Sequence, residues 1–121
     1  MEKKKTLVIG ASANPARYSF AAVQRLSARQ HPVTALGIRK GTIGNIEIET
    51  EKKPIEDIDT ITLYLNPSRQ KEYYEYMLAL NPKRIIFNPG TENDELSMLA
   101  EQKGIETMEA CTLVLLSTGQ Y

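Results

Sequence analysis

The chain is poor in the residues that cross-link a fold or bind metals: among its 121 residues it has one cysteine, one histidine and no tryptophan. A lone Cys111 excludes an internal disulfide and a cysteine-rich zinc site. Net charge is missing too. Fifteen Lys and Arg are balanced by fifteen Asp and Glu, so there is no broad basic field to hold nucleic acid irrespective of sequence. Long apolar runs are absent. The stretch Thr6-Leu7-Val8-Ile9, which follows Lys3-Lys4-Lys5, is too short for a signal peptide or a membrane span. A cytoplasmic protein with no membrane partner is the expectation. No repeat, linker or low-complexity tract interrupts the chain. A 41% hydrophobic and 25% charged composition over this length suits one domain, 1–121, with a self-sufficient core.

Short apolar runs alternate with longer amphipathic ones, the pattern of βαβ units. Thr6–Gly10 reads as a first strand, apolar on both faces as parallel strands are. Phe20, Val23 and Leu26 mark a helix ending near Gln30, stopped by Pro32. Val33–Gly37 is a second strand. Ile38–Pro54, broken by Gly41 and Gly44, fits a short half-exposed edge strand. Asp59–Leu65 is a stronger strand, and Pro67 suits the first turn of a helix carrying Tyr73, Met77 and Leu80. Arg84–Asn88 is a strand. Leu96, Leu99 and Ala100 mark a helix closed by Gly104 as a left-handed cap. Ile105–Met108 is a last strand, and periodicity leaves Cys111–Ser117 open between helix and strand. The fold class is α/β: a Rossmann-like, doubly wound, mainly parallel sheet of about five strands flanked by helices.

In such sheets ligands lie beyond the carboxyl ends of the strands. The first strand ends Gly10-Ala11-Ser12-Ala13-Asn14-Pro15-Ala16-Arg17-Tyr18-Ser19. This is not G-x-G-x-x-G, since Ser12 and Pro15 replace the second and third glycines. The physical task of that motif can still be met. Gly10 permits a tight turn, and small residues let main-chain N–H groups approach an anion. A helix N-terminus adds partial positive charge, Ser12 a hydroxyl and Arg17 a charged fork. The alternative is a plain βα turn in which Ser12 or Asn14 caps the helix.

The second strand ends Leu36-Gly37-Ile38-Arg39-Lys40. NAD-binding domains carry a carboxylate near this point to hold the ribose. Two cations here favour a ribose that bears a phosphate, as in NADP or coenzyme A; the alternative is a solvated loop. Two further strands run into Asn-Pro, at Asn66-Pro67 and Asn88-Pro89-Gly90, on the same predicted edge. Each alone reads as a turn or helix start.

Taken together, Val8-Ile9-Gly10-Ala11-Ser12 with Asn14-Pro15 and Arg17-Tyr18-Ser19, Tyr64-Leu65-Asn66-Pro67 with Gln70, Ile86–Asn93 and Ala110–Val114 resemble the stand-alone coenzyme A-binding domain family. That family is related to the nucleotide-binding domain of the succinyl-CoA synthetase alpha subunit. The resemblance runs nearly end to end. It implies a five-stranded parallel sheet with coenzyme A or an acyl-CoA across its carboxyl edge. The pyrophosphate would lie on the Gly10 loop near Ser12, Asn14 and Arg17, and Asn66-Pro67 and Asn88-Pro89-Gly90 would line the cleft. By position, Arg39 and Lys40 would serve the ribose phosphate.

No catalytic constellation emerges. His31, in a turn on the opposite edge, reads as a surface residue, so no Ser–His or Cys–His pair is expected. Glu92, Asp94 and Glu95 fit the first turn of a helix, and Glu92 alone is near enough to Gly90 to reach the cleft. Tyr73 is expected in the core, with Tyr74 and Tyr76 exposed or facing a partner. Cys111 reads as a small buried apolar residue, the alternative being a thiol near the ligand edge. The first reading is a non-catalytic carrier, sensor or accessory module. The rivals are an NADP-dependent oxidoreductase, and half of an acyl-CoA ligase completed by a partner chain. A homodimer and a ligase-type partner both stay open.

Overall fold

Thr6–Ile9, four residues without a charge, form the central strand β1, buried along its whole length. A computed structural model describes residues 2–121. In it β1 is laddered to β2 (Val33–Leu36) on one side and β5 (Thr60–Leu63) on the other, both parallel, with Ile9 level with Leu36 and Leu63. Side chains of a strand alternate between faces, so β1 feeds two cores. Leu7 and Ile9 pack with Tyr73 and with Met77 of α3 (Tyr74–Leu80) and Leu96 of α4 (Asp94–Gln102). Val8 packs with Val23 and Leu26 of α1 (Tyr18–Ala28) and Leu116 of α5 (Thr112–Ser117).

The sheet has seven strands in the order β3-β4-β2-β1-β5-β6-β7, where β3 is Thr42–Ile43, β4 is Ile46–Glu49, β6 is Arg84–Phe87 and β7 is Glu106–Glu109. All neighbours are parallel except β3 and β4. Five of these strands are the expected ones, and Ile38–Pro54, where one edge strand is expected, holds a two-stranded hairpin that brings the count to seven. Gly44, at φ +61°, turns the chain between β3 and β4, and β4 then adds to β2. A helix does start at Pro67, as α2 (Pro67–Gln70), but a 3₁₀ turn over Lys71–Tyr73 separates it from α3. Gly104, at φ +77°, closes α4 as expected. Cys111–Ser117 resolves as the short helix α5. No helix among the described residues is long and apolar enough to cross a membrane.

The chain reverses direction across the sheet at β1: it goes outward to β2, then returns over residues 50–59, without a helix, to β5. The carboxyl ends of β1 and β5 therefore flank the switch point in strand order, where open α/β sheets bind ligands. Gly37 lets the end of β2 close on the loop after β1, because a Cβ there would stand 2.3 Å from the Ala11 carbonyl oxygen. Gly37→Ala is therefore expected to destabilise the protein by about 1–3 kcal/mol through overpacking, read as a lower midpoint in urea denaturation. An unchanged midpoint would show that this contact relaxes freely.

Candidate functional site

Four loops lie at the carboxyl edge, and glycine lets three of them touch. Gly10, at φ +95°, lies against the main chain of Tyr64, where a Cβ would stand only 2.9 Å from the carbonyl carbon. Gly41 sits equally close to Ala13, its Cβ position 2.8 Å from the Ala13 Cβ. The 37–41 turn, with Arg39 and Lys40, thus borders the 10–17 loop.

Within that loop, Gly10 and Ala11 do not offer their N–H groups outward. Both donate to the Leu36 carbonyl, at 2.9 and 3.0 Å. Ser12 Oγ accepts from Asn14 N–H at 3.1 Å, and Asn14 Oδ1 from Ala16 N–H at 3.0 Å, so the two side chains shape the loop and do not cap α1. The residue at the cap position is Arg17, with no side-chain cap bond, and the first turn of α1 carries no acid. The N–H groups of Ser12, Ala13, Tyr18 and Ser19 have no acceptor within the described residues. Uncapped N–H groups at a helix start attract anions. Ser19 itself is buried, while Arg17 and Tyr18 are exposed. Arg17, Arg39 and Lys40 are exposed and take part in neither of the two ion pairs among the described residues, Lys53–Glu49 and Lys83–Asp59. The donor set therefore fits a ligand with several phosphate oxygens.

Asn66 and Pro67 are exposed at the end of β5, where Asn66 Oδ1 caps α2 through Arg69 N–H at 3.0 Å. Gln70 and Asn88 face inward. Gln70 is fully buried: its Nε2 donates to the carbonyls of Leu65 and Thr91, both at 2.8 Å, and its Oε1 accepts from Asn93. Asn88 donates from Nδ2 to Thr62 Oγ1 at 2.7 Å and to the Leu63 carbonyl at 2.8 Å, and its Oδ1 accepts from Thr112 N–H at 2.8 Å. These two amides fix the loops and leave no group for a ligand. Pro89 and Gly90 form the exposed tip of a turn closed by Thr91 N–H to the Asn88 carbonyl, with Gly90 at φ +91°. Glu92 accepts from Gly90 N–H at 2.8 Å, so its carboxylate closes this turn.

Some side chains differ from the sequence reading. Tyr74 and Tyr76 are half-buried and hydrogen-bonded, Tyr74 to Glu95 and Asn93 and Tyr76 to the Lys53 carbonyl, because the adjoining loops fold over α3. His31 is buried, not on the surface, although it does lie at the opposite edge. Cys111 is half-buried at the N-cap of α5. Near it stands Tyr64, which the sequence reading used only as part of a motif. Its hydroxyl is buried without a hydrogen bond in place, beside Thr62 and Thr112, whose hydroxyls are 2.8 Å apart. Burial pushes the phenol up to about 12. No cluster of His, Cys, Asp or Glu suited to a metal occurs among the described residues.

Comparison with known proteins gives this edge a family. A family model described as a CoA binding domain matches residues 4–117. The chain belongs to that family. Solved structures agree in fold. An uncharacterized protein is 45% identical, with each chain wholly covered and a TM-score of 0.97. A hypothetical protein from Pyrococcus horikoshii OT3 is 20% identical, covering 96% of this chain and 83% of its own, with a TM-score of 0.86. A conserved hypothetical protein from Pyrococcus furiosus is 23% identical, covering 92% and 97%, with a TM-score of 0.79. No curated protein matches the chain. The family carries coenzyme A binding in general, as a small-molecule association.

Because Asn88 satisfies three partners at once, Asn88→Ala leaves buried groups unpaired. It is expected to cost about 2–4 kcal/mol, measured by urea denaturation without ligand. A loss below about 0.5 kcal/mol would mean that other groups or water take over its bonds.

Proposed function

We propose that the carboxyl edge binds coenzyme A or an acyl-CoA, and that the protein serves as a non-catalytic carrier, sensor or accessory module in the cytoplasm. The observation that carries this is the 10–17 loop and the first turn of α1, where four N–H groups without acceptors flank an unpaired Arg17. In this reading the pyrophosphate takes the N–H groups of Ser12, Ala13, Tyr18 and Ser19, with the Ser12 hydroxyl and Arg17. Gly10 and Ala11 shape the turn instead of donating. Asn14 holds the loop's curvature. Arg39 and Lys40, next to it across the Gly41–Ala13 contact, take the ribose phosphate. Asn66, Pro67, Pro89 and Gly90 line the cleft, while Gln70 and Asn88 support it from within. The family membership supports the ligand class; the absence of a carboxylate after β2 supports a phosphorylated ribose over NAD.

The test is calorimetric titration with coenzyme A, dephospho-coenzyme A and NADP in the same buffer. Saturable coenzyme A binding, weaker dephospho-coenzyme A binding and no comparable NADP binding are expected. Equal affinity for the first two ligands would remove Arg39 and Lys40 from the ribose phosphate. NADP binding alone would turn the reading to an oxidoreductase, and binding of none would point to a site completed by a partner chain. In the same assay Arg17→Ala is expected to lose about 1.5–3 kcal/mol of binding energy, the value of a charged hydrogen bond, which is about 10- to 150-fold in Kd. An unchanged Kd would exclude Arg17 from the site.

A further inference from the structure

At the amino edge of the sheet, away from the candidate site, a buried histidine stands among cations. His31 is 5% exposed, and its Nδ1 accepts the Lys4 main-chain N–H at 2.9 Å. Only an unprotonated nitrogen can accept that bond. The imidazole meets the Tyr121 ring edge-on, with centroids 5.0 Å apart at 62°. Tyr121 is itself held from several sides. Its hydroxyl shares a 2.6 Å bond with Thr6 Oγ1. Its main-chain oxygen accepts from Lys4 Nζ at 2.6 Å and Arg84 Nη2 at 2.8 Å. The Arg84 guanidinium also lies over its ring, 4.5 Å from the centroid.

The charged groups around His31 come from every neighbouring element. Lys3 and Lys4 precede β1, Arg29 follows α1, and Arg84 begins β6. Asp59 is linked only indirectly, through the Thr60 hydroxyl that also accepts from Arg84 Nε. The Tyr121 main-chain oxygen takes up Lys4 Nζ and Arg84 Nη2, and offers nothing to the imidazole. Burial, then these four cations, hold the imidazole below the ordinary 6.5.

We propose that His31 is a proton-operated latch, whose protonation frees Tyr121 and the tail over residues 118–121 from the amino edge and slackens α5. Protonation would turn Nδ1 into a donor facing the Lys4 N–H and place a fifth positive charge in the cluster. The tail is the part that can yield. Thr118 is tied to the Val114 carbonyl through its N–H at 3.0 Å and its hydroxyl at 2.8 Å, and beyond it the main chain is held by Gly119 N–H to the Leu116 carbonyl at 3.3 Å and by Gln120 and Tyr121 N–H to the Leu115 carbonyl at 2.8 and 3.1 Å. By contrast, β1 is laddered on both sides. The sign follows from the direction of the shift. A histidine held below its unfolded value contributes stability above pH 6.5, and that contribution is lost as the pH falls through the folded value.

Nuclear magnetic resonance of the labelled 121-residue protein tests this, with the pH lowered from about 7.5 to about 5 across the histidine range. The Tyr121 ring and amide signals should move with the same midpoint as the His31 ring, and that midpoint should lie below 6.5. Once intrinsic exchange chemistry is removed, the opening constant at the Gln120 and Tyr121 amides should rise as the pH falls below 6.5, by at most about tenfold per pH unit for one proton, and level off below the folded midpoint, while the amides of β1 stay protected. His31→Gln keeps an acceptor for the Lys4 N–H without titrating, and it should leave the tail closed throughout. Tyr121 signals indifferent to the His31 midpoint, a midpoint at or above 6.5, or the same opening in His31→Gln would each overturn the latch. If His31→Gln does not fold, the agreement or disagreement of the two wild-type titrations decides alone.

Discussion

One buried carboxamide organises the carboxyl edge. Asn88 joins β5 through Thr62 and Leu63, and reaches α5 through the Thr112 N–H. Removed from water, such a group is costly unless every donor and acceptor is matched. The match here fixes where three separate segments end. Gln70 repeats the device one loop away, tying Leu65 to Thr91 and Asn93. The exposed groups of the candidate site stand on these two amides. The 10–17 loop is set in turn by a single carbonyl, that of Leu36, which takes two N–H groups and so points the rest of the loop outward.

The framework was readable in the residues because its causes are local. An uncharged run such as Thr6–Ile9 has no stable place except a strand buried on both faces, and Pro67 and Gly104 mark helix ends through their own backbone limits. The β3–β4 hairpin is not readable in this way, since two isoleucines alternating with two glutamates look alike whether they pair with a neighbour or fray. The length of the helix after Pro67 was also overread, because apolar spacing does not register a 3₁₀ turn that keeps the same side inward.

At the site, the sequence indicated which segments converge but not which way their side chains turn. Asn66 and Asn88 have the same local signature, Asn-Pro after a strand. The first is exposed at a helix cap and the second is buried, because only the second has α5 packed above it. His31 was misplaced for a similar reason. Its burial depends on Tyr121, ninety positions away, folding back beside it. Tyr64 enters the motif after β5, but nothing local marks its hydroxyl as buried, because that burial comes from segments distant in sequence.

The sheet's two outer strands bear on how the molecule meets its own copies. One margin is β3, only two residues long, and the other is β7, whose ends carry the exposed Glu106 and Glu109. A short strand offers few free main-chain groups, and paired glutamates repel an identical strand laid alongside. Strand-to-strand stacking into fibrils is thereby discouraged at both margins of the sheet.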